Sequence, residues 1–200
     1  MRLRRLKRAE LPRDTVELAR WLIGRIVVRV LPDGCLTGRI VETEAYVPGD
    51  AACHAFRGIT PRNRSLFLRP GHAYVYRAYG TAWMLNVSSE PAGIGAGVLI
   101  RALQPLDGIA RMRRARGSGV ADRDLARGPG RLAAALSIDR SLDGVDLTAA
   151  GPLWLAADND AAATETGIST RIGITRDAER HLRFYRRGSR FVSGPRWLSP

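Results

Sequence analysis

Lysine is almost absent from this chain of 200 residues: of its 32 basic side chains only Lys7 carries an amine. Imine chemistry needs an amine nucleophile, and Lys7 lies in the arginine-rich stretch from Arg2 to Arg8, which reads as a frayed or polyanion-touching terminus. Lyase chemistry through a Schiff base is therefore not expected. Cysteine is scarce as well. Cys35 and Cys53 are too few for a disulfide scaffold, and neither a CxxC spacing nor a nearby histidine pair is present for zinc. Cys53-His54, adjacent in a loop, is a weak metal hint, and no metal or other cofactor is expected. Long apolar runs are missing too. The basic N-terminus is followed by Leu22-Ile23-Gly24-Arg25, which breaks the stretch early, so neither a secretory signal nor a membrane span is expected. A reducing cytoplasmic compartment and no membrane partner follow from that reading.

What the chain has in excess is positive charge. Its 32 basic residues against 19 acidic ones give a net charge of +13. Such a balance favours a polyanionic partner through counterion release, nucleic acid first, although part of the excess reflects a preference for arginine. The length and the 45% hydrophobic content suit one domain, residues 1–200, with residues 1–12 as a basic N-terminal segment.

Asp14-Thr15-Val16-Glu17 has the form of a capping box opening an amphipathic helix that closes at Gly24. Arg25 to Leu31 is expected as a strand, Pro32-Asp33-Gly34 as a tight turn, and Cys35 to Tyr46 as the returning strand. Val47 to Pro70 is polar and irregular, a functional loop that is either ordered or mobile. His72 to Tyr79 and Thr81 to Ser88 form a hairpin around Gly80, and Gly97 to Leu103 is a further strand. Helices are expected over Asp107 to Arg116 and from Gly128-Pro129-Gly130 through Leu136, with a flexible loop at Gly117 to Asp124. In the last third, Leu153 to Ala156, Arg171 to Ile174 and Leu182 to Arg186 read as short strands, and Ala157 to Thr170 as loop. The sum is an α/β (α+β) chain, a single domain with a mainly antiparallel sheet flanked by helices.

The chemistry concentrates on two strands. Alternation places Ile40, Glu42, Glu44 and Tyr46 on one face and Val41, Thr43, Ala45 and Val47 on the other. Two carboxylates and a tyrosine then share a surface, which is either a solvated strand face or a site. In the hairpin, Tyr74 and Tyr76 share one face, while Tyr79 stands beside the turn. Strand aromatics are usually core, which is the reading for Tyr74; a tyrosine at a hairpin tip is hard to bury and suits stacking on a base. His54, Arg62, Asn63 and Arg64 lie in the loop between. Gly128-Pro129-Gly130-Arg131 before a helix offers free backbone N–H groups to a phosphate.

The runs RIVETEAY, HAFRG, TPRNRSLF, HAYVYRAYG, LNVSS, VLIRAL and ARGPGRLAAAL, in this order, resemble the alkyladenine (3-methyladenine) DNA glycosylase family, and the likeness extends from Asp14 to the FYRRGSRFVS segment. The resemblance implies a single mixed domain around a curved antiparallel sheet. It also implies an enzyme that flips alkylated or deaminated purines (3-methyladenine, 7-methylguanine, hypoxanthine) out of double-stranded DNA and hydrolyses the N-glycosidic bond in base excision repair. Carried over residue by residue, Glu44 matches the general base that activates water, and Arg101 a residue beside the flipped nucleotide and that water. Tyr46, His54 and Tyr76 match the walls of the base pocket, Asn86 the side chain that screens bases, and Tyr79 the residue that intercalates into the duplex. Arg62, Arg64, Gly130 and Arg131 are candidates for DNA or phosphate contact. A monomer of bacterial type is expected.

A cationic alkylated base leaves as a neutral molecule and needs no general acid, so one carboxylate suffices to direct water at an oxocarbenium-like centre. A neutral lesion such as hypoxanthine needs protonation as well. Two rivals remain. A non-enzymatic nucleic-acid-binding module would need the arginines and tyrosines but not carboxylates beside phosphates. A sugar hydrolase would need Glu42 as a second working acid. The glycosylase reading requires that the Glu44 carboxylate is neither entombed among apolar neighbours nor turned from the basic groove.

Overall fold

A computed structural model describes residues 3–78, 80–158 and 165–194. Tyr79, assigned above to intercalation, lies outside the described residues, as do residues 159–164 of the loop expected between Ala157 and Thr170.

The Asp14 side chain accepts the N–H groups of Val16 and Glu17 at 2.8 and 2.9 Å and so opens helix α1, Thr15–Trp21. Leu18, Ala19 and Leu22 recur at helical spacing and are fully buried. The chain continues through β2 (Ile26–Leu31) into β3 (Gly34–Tyr46), the longest strand described. After the loop come the hairpin strands β4 (Ala73–Ala78) and β5 (Ala82–Ser88), then β6 (Gly97–Asp107). Helices α2 (Ile109–Arg116) and α3 (Pro129–Ala135) follow, and β7 (Leu153–Asp158), β8 (Thr166–Ser169) and β9 (Arg183–Arg186) complete the sheet. With β1 at Leu3–Arg5, the strands run in the order β1-β7-β2-β3-β6-β5-β4, and β9 joins β3 to β8. Every pairing between these strands is antiparallel, in a single α+β domain with three α-helices among the described residues.

Side chains from all three helices, including Leu18, Met112 and Leu132, pack with Ala45, Val75, Leu85, Val98 and Ile100 into the main core. Strand alternation then sends Tyr46, Tyr76, Asn86, Leu99 and Arg101 to the opposite face of β3, β4, β5 and β6, where a cavity opens. The core side of the sheet thus holds the plate on which the site is mounted.

Four expectations require correction. The N-terminal arginine stretch is not frayed over its described length: β1 pairs with β7, Leu6 is buried, and Arg4 forms a bidentate pair with Glu10 at 2.8 and 2.7 Å. Thr166–Ser169, expected as loop, is strand β8 against β9. Arg171 to Ile174, expected as strand, is a bend, because Gly173 takes φ +76° and breaks the extended path. Finally, Ile40 does not share the face of Glu42 and Glu44. The register of β3 against β6 shifts on both sides of Glu42, so Ile40 turns into the main core while Val41 packs with Ala102 and Tyr185 on the other side. A bulge of this kind reverses alternation once and re-aims every side chain beyond it.

Candidate active site

At the bulge, β3 changes partner. Gly34 to Arg39 pair with β2, whereas Glu42 to Glu44 pair with β9, with Arg183 opposite Glu44. Glu42, Glu44 and Tyr46 therefore line up beside Arg101 of β6. Arg101 bridges both acids, its Nε donating to Glu42 Oε1 at 2.9 Å and its Nη1 lying 3.2 Å from Glu44 Oε1. Burial disfavours the Arg101 charge, and Glu44 and Glu42 more than restore it, so its pKa is raised.

Glu44 has no exposed surface, yet its surroundings are polar. Its Oε2 accepts the Tyr46 hydroxyl at 2.9 Å, and its Oε1 accepts the Ile172 N–H at 2.7 Å. Tyr46, Arg101 and Ile172 all line the cavity, so Glu44 stands one layer behind its wall, beneath hydrogen-bonding groups rather than apolar ones. Desolvation, reinforced by the neighbouring Glu44 anion, raises the Tyr46 phenol above its usual range and keeps it a donor.

The cavity encloses about 330 Å³ and is lined by Tyr46, Ala52, Cys53, His54, Leu66, Tyr74, Tyr76, Ala78, Met84, Asn86, Gly97, Leu99, Arg101, Pro129, Ile172, Gly173 and Ile174. That is the size and mixture of apolar faces and few polar groups expected of a small-molecule site. His54 stands at its exposed edge. Its ring meets Tyr76 edge-on at 4.4 Å between centroids, and its Nδ1 lies 2.9 Å from the Tyr74 hydroxyl. Desolvation, with Arg62 adding like-charge repulsion, holds the His54 imidazolium below its ordinary range, so a neutral ring faces the cavity. Tyr74 and Tyr76 stack at 5.2 Å with 25° between planes. The Asn86 Nδ2 donates to the Tyr74 carbonyl at 3.2 Å, which fixes the amide against the floor.

The loop that carries His54 is ordered by Asn63, whose Nδ2 donates to the carbonyls of His54 and Gly58 at 2.8 and 3.0 Å. A second clamp is formed by Arg171 and Asp50, whose side chains are both fully buried. Arg171 Nη2 donates to Asp50 Oδ1 at 3.0 Å, its Nη1 to the Ala45 carbonyl at 3.0 Å, and its guanidinium covers the Tyr46 ring at 4.7 Å. This clamp presents Ile172 to Glu44. Burial opposes the Asp50 anion, but Arg171 and the Ala52 N–H outweigh it and leave its pKa lowered. The Cys53 thiol is pushed up to about 11 by burial, and its sulfur faces the Ala55 N–H at 3.5 Å. It packs in the cavity wall, and among the described residues no group of three or more His, Cys, Asp or Glu side chains gathers as a metal set.

The structure thus brings Glu44, Arg101, Tyr46, His54, Tyr76 and Asn86 to one cavity. The DNA-contact candidates are scattered around it. Arg62 is exposed, covers the outer side of Tyr76 at 5.9 Å and donates to the Arg77 carbonyl at 3.1 Å. Arg64 is exposed, and Arg131 lies 3.6 Å from Asp124. Gly130 allows α3 to approach β5, since a Cβ there would meet that of Ala82 at 2.8 Å. Sequence reasoning missed Tyr74 as a wall residue, the Asp50–Arg171 clamp and Ile172. Only Tyr74 had a visible signal, its shared face with Tyr76.

A model of the methylpurine-DNA glycosylase family matches residues 9–190. This chain belongs to that family. It is 72% identical over 193 residues to a protein of Mesorhizobium japonicum, covering 96% of this chain and 92% of that one. It is 51% identical to one of Paraburkholderia phytofirmans, covering 96% and 90%, and 47% identical to one of Rubrobacter xylanophilus, covering 89% and 92%. Each of the three bears the name 3-methyladenine DNA glycosylase. The chain is accordingly a DNA glycosylase, a hydrolase of N-glycosyl bonds whose substrate is DNA, and the rival of a non-catalytic binding module is set aside. The net charge of +13 matches that polyanionic substrate. No described helix is long and apolar enough to cross a membrane.

Proposed function

We propose that the enzyme everts alkylated or deaminated purines, among them 3-methyladenine, 7-methylguanine and hypoxanthine, from duplex DNA into this cavity. There it hydrolyses the N-glycosidic bond with a water activated by Glu44. The observation that carries the reading is the Glu44 carboxylate, held by the Tyr46 hydroxyl, the Ile172 N–H and Arg101 directly behind the cavity wall. Three fixed donors keep the anion in place, and a shift of the Tyr46 phenol or of Arg101 exposes it to a water in the cavity.

Tyr46, His54 and Tyr76 offer ring faces to an electron-poor base, and a damaged, badly paired nucleotide costs less to unstack. Asn86, pinned to the Tyr74 carbonyl, presents its amide where the exocyclic amino group of guanine would arrive. The neutral His54 avoids repelling a cationic alkylated base. As bond cleavage places positive charge on the sugar, the Glu44 anion stabilises it, and a cationic base departs without an acid. Tyr79 is assigned the wedge in the duplex and Arg62, Arg64, Gly130 and Arg131 the phosphates, so binding falls with salt. The enzyme acts as a monomer in the cytoplasm.

Glu42 offers the sugar-hydrolase reading nothing. It has no exposed surface and is saturated by Arg101, Arg183 and Ser193. The test is release of free base from duplexes carrying a single 7-methylguanine or hypoxanthine, assayed in a metal chelator. Release of the lesion base with the undamaged bases retained is expected; no release from either duplex overturns the proposal.

A further inference from the structure

Among the described residues, six charged side chains are buried: Glu42, Glu44 and Asp50, and Arg101, Arg171 and Arg183. Three negative charges meet three positive ones. The set forms two groups at the base of the cavity, joined where the N–H of Ile172, next to Arg171, donates to Glu44. Arg171 pairs with Asp50, Arg101 spans Glu42 and Glu44, and Arg183 lies opposite Glu44 in the strand register while donating from Nε to Glu42 Oε1 at 2.7 Å. Glu42 is the hub. Its Oε1 takes Arg101 at 2.9 Å, Arg183 at 2.7 Å and the Ser193 hydroxyl at 2.9 Å, and its Oε2 takes the Ser193 N–H at 2.7 Å.

The groups that face Glu44 are Arg101 from β6, Arg183 from β9, Arg171 and the Ile172 N–H from the bend beyond β8, and Tyr46 and Glu42 from its own strand. Without Glu42, two arginines would bear on a single carboxylate in a water-poor layer. That carboxylate would be held as an inert ion-pair partner and would be a weaker proton acceptor. We infer that Glu42 is a positioning residue for the hydrolytic step: it fixes the Arg101 guanidinium and cancels the charge of Arg101 and Arg183, leaving Glu44 free to act as a base. The inference rests on the assignment of Glu44 as the base and adds to it the reason why two acids stand two residues apart on β3 when one reaction needs one.

The test is the pH dependence of single-turnover 7-methylguanine release, a base that leaves without an acid, in four variants of the full chain. E42Q keeps the shape and adds one net positive charge to the layer, so the acid limb should move to lower pH by on the order of one unit, with a slower plateau. R183Q removes one positive charge, and its limb should move to higher pH by on the order of one unit. The double variant E42Q/R183Q restores neutrality and should bring the limb back towards that of the parent. A merely structural role for Glu42 would lower the rate without opposite displacements. Limbs that stay together in all variants, or that move the same way in E42Q and R183Q, overturn the inference. If E42Q alone does not fold, R183Q and the neutral double variant still decide, by an upward limb in the first and its return in the second. E44Q is the control: a limb that survives in it belongs to another group, and the assignment of Glu44 fails rather than the role of Glu42.

Discussion

At the base of the cavity, Glu42, Glu44, Asp50 and their arginines are buried, and each charge has a partner within hydrogen-bond or ion-pair distance. Around the cavity, His54, Tyr46 and Tyr76 present rings that are only partly covered. The floor is specific in its polar geometry and the wall is generic in its apolar faces. Burying a charge is costly unless it is paired, so such a floor has one arrangement, and on the proposed reading it directs one chemical step. Ring faces accept any flat, electron-poor base, so on the proposed reading the wall selects by stacking and fit. Floor variants should therefore damage stability or the chemical step, and wall variants should damage lesion binding.

The largest effect is expected from breaking the floor at its clamp. Asp50→Ala leaves the fully buried Arg171 guanidinium unpaired, which should cost about 3–5 kcal/mol in urea unfolding. A loss below about 1 kcal/mol would place the clamp among ordinary surface pairs. On the wall, Tyr76→Ala removes one stacking face, and affinity for a lesion duplex should fall roughly 10–100-fold, as about 1–3 kcal/mol per stacked base implies. Saturating single-turnover rates should change much less. If the rate falls and the affinity does not, the division between floor and wall is wrong. The smallest effect belongs to one polar tie within the wall. Tyr74→Phe removes the hydroxyl 2.9 Å from His54 Nδ1 and should weaken lesion binding several-fold, near the value of about 1 kcal/mol for one hydrogen bond. An unchanged affinity would mean that packing alone orients His54.

The wall was more legible in the sequence than the floor. The hairpin alternates cleanly between Tyr74, Tyr76 and Val75, so its two faces could be assigned from period two alone, and the cap at Asp14 was visible for the same local reason. The bulge at Val41 could not be foreseen, because it depends on β3 exchanging β2 for β9, a contact between segments far apart in the chain. Ile40 was consequently placed on the wrong face. Arg171 to Ile174 looked like a strand because its isoleucines alternate, and only the left-handed Gly173 reveals a bend that turns Ile172 towards Glu44. Asp50 and Arg171 carry no local mark of their pairing, since they meet only once β3 and the bend are assembled. The short strands β1 and β8 escaped because three or four residues of mixed polarity hold no period.

The central claim, that the floor performs the chemical step through Glu44, is tested most directly by Glu44→Gln in single-turnover release of 7-methylguanine, with lesion-duplex affinity measured on the same preparation. The account predicts a rate loss of roughly 10²–10⁴-fold, the range for removing a positioned general base, with affinity within a few-fold of the parent. A near-normal rate at unchanged affinity would contradict it.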